Sequence, residues 1–121
     1  MFAIRDARFP VDTSAVLDIW QEYIVSPSVS LAYQGYEDEF ANLPGKYARP
    51  DGRLLLAEAA GQITGCIALR RISARICEMK RLYVRPSARG MGLGRQLVER
   101  LILEAAQAGY DEMRLDVLGE F

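Results

Sequence analysis

The chain has 121 residues, 15 basic and 16 acidic, with a formal net charge of −1. That length holds one domain with one real core, and the near-neutral balance gives no general pull toward nucleic acid or an anionic membrane. There is no histidine, which excludes Ser-His-Asp and Cys-His catalysis, and two scattered cysteines, Cys66 and Cys77, do not make a zinc site.

No apolar run approaches the ~20 residues that cross a bilayer, and Met1 to Pro10 is charged, without an apolar signal core. The expected compartment is the cytoplasm, with both cysteines reduced and packed inside strands. Phe2 to Arg8 alternates as a first strand. Asp12, Thr13 and Ser14 offer caps for an amphipathic helix over 13–25, with Val16, Leu17, Trp20, Tyr23 and Ile24 at helical spacing. Ser26-Pro27-Ser28 ends it. A short second helix is expected from Tyr36 to Leu43, carrying the acidic run Glu37-Asp38-Glu39, which is a solvated helix face or the border of a pocket for a cationic amine. Tyr33 and Tyr36 are packing residues or line the same pocket.

Arg53 to Ala59, Ile63 to Ile72 and Arg75 to Val84 read as three strands of an antiparallel meander, joined at Ala60-Gly61-Gln62 and at Ser73-Ala74. After Arg85-Pro86 come Gly90, Gly92 and Gly94. Leu93, Leu97 and Leu101, with Val98, Ile102 and Ala105, then mark a long amphipathic helix, capped by Gly109. Met113 to Leu118 closes a βαβ unit, so it runs parallel to the preceding strand.

The chemistry concentrates in Arg85-Pro86-Ser87-Ala88-Arg89-Gly90-Met91-Gly92-Leu93-Gly94-Arg95. A helix N-terminus leaves N–H groups unpaired and is partly positive, and glycines before it let backbone approach a ligand closely. Together they form a site for phosphate or pyrophosphate, to which Arg89 and Arg95 can add charge-assisted bonds. A dinucleotide fingerprint needs a third glycine where Arg95 stands, and no Walker string is present. A glycine turn without any ligand is the bland alternative.

Arg89-x-x-Gly92-x-Gly94 resembles the Q/R-x-x-G-x-G/A signature of the GNAT family of N-acetyltransferases. C-E-M-K-R-L-Y-V-R-P before it and R-Q-L-V-E-R-L-I-L-E-A after it are similar to that family's fourth strand and following helix, and G-Y-D-E-M-R-L-D-V-L to its fifth strand. The upstream L-P-G-K-Y-A-R-P-D-G-R-L-L-L-A-E is similar to a bacterial subgroup with small or unassigned substrates. The resemblance implies an α/β fold with a mixed, mostly antiparallel sheet and a splayed parallel strand pair. It further implies acetyl-CoA as co-substrate, its pantetheine arm along the backbone of Leu82, Tyr83 and Val84. The pyrophosphate would lie on Arg89, Gly90, Met91, Gly92, Gly94 and Arg95. No metal is implied.

Glu78 aligns with the strand-four glutamate that serves as base in some members, and the Leu82 N–H with the donor to the oxyanion. The other reading of Glu78 is a salt-bridged strand residue beside Arg70 or Arg81. Family members usually continue into a further helix, often carrying a tyrosine acid, and two further strands. The chain ends at Phe121, so the expectation is a single acyltransferase domain over 1–121, shortened at its C-terminus. Two readings of function follow. One is an N-acetyltransferase acting on a primary amine, small molecule or peptide, by direct attack on the thioester. The other is a weak or inactive domain that binds acetyl-CoA or only self-assembles. The edge of the Met113–Leu118 strand, with Leu115, Val117 and Leu118, implies a homodimer.

Overall fold

The structure, a computed structural model, describes residues 2–25 and 41–115. Its elements are β1 (Ala3–Asp6), α1 (Thr13–Ile24), β2 (Arg53–Ala59), β3 (Gln62–Ser73), β4 (Ile76–Val84), α2 (Leu93–Gln107) and β5 (Glu112–Leu115). The acidic run Glu37-Asp38-Glu39, Tyr33, Tyr36, Val117 and Leu118 lie outside the described residues, as does most of the helix expected over 36–43.

The sheet has the order β1-β2-β3-β4-β5. Its first three pairings are antiparallel, and β4 with β5 is parallel across α2. It is covered on both faces. Leu55 and Ala57 of β2, with Ile67, Leu69 and Cys77, pack against Leu93, Leu97 and Leu101 of α2. Leu54 and Leu56, with Cys66 and Ala68, pack against Val16, Ile19 and Trp20 of α1. This explains why β2 reads Leu-Leu-Leu-Ala rather than alternating: a strand buried on both faces wants apolar residues throughout.

Asp12 stands at the N-cap position of α1 but makes no side-chain cap bond. Its carboxylate instead accepts both guanidinium nitrogens of Arg5, at 2.8 and 3.0 Å, and the Arg8 N–H at 2.6 Å. The two Arg5 bonds outweigh burial and hold Asp12 below the usual carboxylate range. The expected inward position of Ile102 is corrected: it is 52% exposed, and Glu104 is buried in the apolar stripe instead. The reason is electrostatic, since Arg53 and Arg100 donate to Glu104 at 2.9 and 3.1 Å, and Arg49 lies 3.3 Å from it.

β4 carries an irregularity that the meander pattern does not announce. Cys66 pairs with Tyr83 and Ala68 with Lys80, so β4 advances three residues while β3 advances two. Within the extra step lies Arg81, buried and at φ +64°. An added residue in a left-handed conformation is a β-bulge, which interrupts the ladder and sharpens the local twist. The Arg81 guanidinium stacks 4.9 Å over the Trp20 ring, and the Cys66 thiol donates to the Arg81 carbonyl at 3.2 Å, so both α1 and β3 hold the bulge in place.

Candidate active site

Among the described residues, β4 pairs with β5 from Ile76 with Glu112 to Met79 with Leu115, and β4 itself continues to Val84. The Arg85 N–H donates to the Thr64 carbonyl at 2.9 Å. Backbone groups alternate sides along a strand, so Leu82 and Val84 turn their N–H and C=O away from β3. Tyr83 turns its own toward β3. Beyond Met79, one edge of β4 is therefore open among the described residues.

At the end of β4 the chain makes a 3-10 turn, Pro86–Ala88, anchored by the buried Ala88. Gly90 and Gly92 follow at φ +84° and +76°. Gly92 is the N-cap of α2, without a side-chain cap and with no acidic residue in the first turn. The first rung of the helix runs from Gln96 N–H to the Gly92 carbonyl, 3.1 Å. The N–H groups of Leu93, Gly94 and Arg95 precede that ladder and are available to an anion. Leu93 is buried and fixes the turn to the core. A Cβ on Gly94 would lie 3.8 Å from the Val84 side chain, so the helix start sits directly against the open strand end.

The other side chains divide between the two faces. Cys77, Met79, Leu82 and Val84 join the α2-side core, which puts Glu78 and Tyr83 on the α1 side. Glu78 is opposite Arg70 in register, and Oε1 accepts Arg70 Nη2 at 2.8 Å. The Tyr83 hydroxyl donates to Glu22 Oε2 at 2.7 Å, and Glu22 Oε1 lies 3.2 Å from Arg85 Nε. Burial, then the Glu22 carboxylate, push the Tyr83 phenol up, so it keeps its proton at neutral pH. Arg89 donates through Nε to the Val84 carbonyl at 2.9 Å. Met91 is exposed, and Arg95 pairs with Glu99 at 3.1 Å. Cys66 and Cys77 are buried free thiols, both pushed up by burial, Cys66 to about 12, which disfavours the thiolate that a nucleophile needs.

The sequence model described as "Acetyltransferase (GNAT) family" matches residues 15–119. An uncharacterised N-acetyltransferase of Schizosaccharomyces pombe is 38% identical over 118 residues, covering 96% of this chain and 72% of the relative. The chain belongs to the GNAT acetyltransferase family. Solved structures agree on the fold. A Staphylococcus aureus acetyltransferase of the GNAT family aligns with TM-score 0.83 at 16% identity, over 100% of this chain and 76% of that one. A Clostridium acetobutylicum structure, described as a predicted acetyltransferase with acetyl-CoA, aligns at 0.81 with 19% identity, over 99% and 83%.

In this GNAT chain the expected site residues fall into two groups. Leu82, Val84, Gly90, Gly92, Gly94 and the α2 N-terminus converge at the end of β4. Glu78 lies on the other side of the bulge, towards α1. Sequence reasoning missed Glu22 and its pairing with Arg85. The helical spacing of Ile19, Glu22 and Tyr23 shows which residues share the inner side of α1, but nothing in it indicates that Glu22 meets a tyrosine 61 positions away.

Proposed function

We propose that the chain is an acetyl-CoA-dependent N-acetyltransferase that moves an acetyl group to a primary amine by direct attack on the thioester. The observation that carries this reading is the run of β4, its outer edge beyond Met79 open among the described residues, into the N-terminus of α2. An extended arm bearing amides suits the first, and a pyrophosphate suits the second. The donor supplies an acetyl carbon on sulfur, a leaving group with a thiol pKa of about 8.5 on the cysteine scale. Leu82 and Val84 hold the arm through backbone groups, and the segment from Arg89 to Arg95 holds the phosphates. An alkyl amine arrives protonated at neutral pH, and Glu78 takes that proton directly or through water. The Leu82 N–H donates to the thioester oxygen as charge develops there. We place the reaction in the cytoplasm, which suits the two reduced thiols.

The Arg70–Glu78 ion pair favours a second reading, a domain that holds acetyl-CoA without turnover and uses Glu78 only to tie β3 to β4. Thiol release measured across a panel of amines separates the two. If Glu78 is the base, Glu78→Gln lowers the rate by roughly 10²-fold at neutral pH. Alkaline pH recovers part of the loss, because the amine then deprotonates in solution. Parallel pH profiles for variant and parent remove the assignment.

A second copy of the chain is the proposed partner at the outer edge of β5, where Leu115 is 57% exposed. Light scattering after size exclusion is expected to give twice the chain mass at micromolar concentration, and Leu115→Asp to shift it toward the monomer. A parent that stays monomeric at high concentration overturns this.

A further inference from the structure

Arg70, Glu78 and Arg114 form one row across the sheet. Arg70 on β3 is opposite Glu78 on β4, and Glu78 is opposite Arg114 on β5. Residues opposite each other share a face, so all three lie on the α1 side. α1 itself packs on Leu54, Leu56, Cys66 and Ala68, which belong to β2 and β3. Lys80, opposite the buried Ala68, is on the same face. The row is therefore a carboxylate flanked by two guanidinium groups, with a further cation one pleat along β4.

The two flanks differ. Arg70 Nη2 lies 2.8 Å from Glu78 Oε1, and the Glu78 side chain is 15% exposed. Arg114 stands in register with Glu78 but turns along its own strand. Its Nε lies 2.7 Å from Glu112 Oε2, in a pair whose side chains are 55% and 51% exposed. A pair so open to water is weak. The row thus offers one carboxylate to a cation and, beside it, a guanidinium whose present partner is easily exchanged for another carboxylate.

We propose that the acceptor is an amino acid, a primary amine with a carboxylate on the neighbouring carbon, and that Arg114 determines this specificity. In such a molecule the nitrogen and the carboxyl carbon are roughly 2.5 Å apart. Adjacent strands lie about 4.8 Å apart, and Glu and Arg side chains are long enough to lean into that interval. The ammonium goes to Glu78, and the carboxylate takes Arg114 from Glu112 through the planar fork that a guanidinium presents. Arg70 stays on Glu78 from the other flank. An amine without a carboxylate leaves Arg114 on Glu112 and gains the Glu78 contact alone. A polycationic acceptor meets Arg70, Arg114 and Lys80 and is repelled. This inference rests on the reading of Glu78 as the base that receives the acceptor amine.

The test measures steady-state thiol release from acetyl-CoA with L-amino acids, their carboxamides, simple alkyl amines and polyamines. The parent is expected to prefer at least one amino acid over its own carboxamide by about tenfold or more in kcat/KM, the size of one hydrogen bond between charged groups. Arg114→Met is expected to remove most of that preference, chiefly by raising KM for the amino acid. Arg114→Lys is expected to restore part of it, because lysine keeps the charge without the fork. Arg75→Met is the control: Arg75 pairs with Asp111 at exposed positions outside the row, and this variant keeps the parent's preference. The ratio is read within each protein, so partial unfolding of a variant does not imitate the effect. Carboxamides or plain amines used as well as amino acids, or a preference that survives Arg114→Met, overturn the proposal while leaving the transfer activity in place. A parent that releases no thiol with any amine removes the underlying reading as well.

Discussion

Gly92→Glu is expected to abolish the stabilisation of the protein by acetyl-CoA. A ligand that binds only the native state, present at 100 times its dissociation constant, adds about 2.7 kcal/mol. For a domain of this size that amounts to roughly 10 °C in Tm. Gly92 is the N-cap of α2 at φ +76°, and nothing lies within 4 Å of a Cβ placed there. A glutamate at this position fits sterically outward but puts a carboxylate where the pyrophosphate would sit. It also strains the backbone by about 1–2 kcal/mol, because a residue with a Cβ resists the left-handed region. The quantity to compare is therefore the ligand-induced shift and not the bare Tm. Gly61→Glu supplies the control: Gly61 has φ +78° with similarly open surroundings, in the turn between β2 and β3. This control should lose comparable intrinsic stability and keep the full shift. A normal shift in Gly92→Glu would place the donor elsewhere on the molecule.

Glu104→Ala is expected to destabilise the fold by about 3–5 kcal/mol, the usual result of breaking a buried ion pair from one side. Glu104 and Arg53 are 5% exposed each, and Arg49 and Arg100 approach the same carboxylate. Arg53 also donates to the Pro50 and Gly52 carbonyls, while Arg49 reaches Asp6 and Arg100 reaches the Ile4 carbonyl. Removing the carboxylate leaves a buried guanidinium without its counter-charge at the junction of β1, β2 and α2. Denaturant unfolding checks the magnitude, and a loss under about 1 kcal/mol would show that water or a rearranged arginine replaces the carboxylate.

The pH dependence gives an independent reading of the same group. Burial alone would raise the Glu104 carboxyl; hydrogen bonds from Arg53 and Arg100 more than offset this and hold it below its usual value. A carboxyl that is depressed in the folded state contributes in full above its unfolded value of about 4.3. That contribution is lost as pH falls through the lower folded value. The parent should lose stability on acidification below about pH 4, and Glu104→Gln should show a shallower decline over the same range.

Local patterns in the sequence are sufficient for the order of elements. β2 and its hairpin partner β3 follow from a continuous apolar run, a Gly61 turn and a second apolar run. The start of α2 follows from Leu93, Leu97 and Leu101 behind two glycines, and its end from Gly109 at φ +95°. The glycine turn proposed to take the anion is legible for the same reason, because its backbone groups all lie in the short stretch of chain from Arg89 to Arg95. Other features needed the tertiary structure. The bulge at Arg81 is a mismatch between two strands, so it does not exist in either strand alone; Trp20, on α1 and far from β4 in sequence, helps to hold it through the guanidinium stack. The roles of Glu78 and Glu22 depend on which arginine or tyrosine lies across the sheet, and charge pairing over such separations has no periodic signature. Glu104 sits on the apolar stripe of α2, one turn after Leu101, where pattern alone would demand a hydrophobic residue; only the convergence of Arg49 and Arg53 from other parts of the chain, with Arg100 on α2 itself, makes a carboxylate stable there. Local sequence decides what neighbours along the chain can do, and folding alone decides which distant charges meet, because the energy of a buried ion depends on the partners that the fold brings to it.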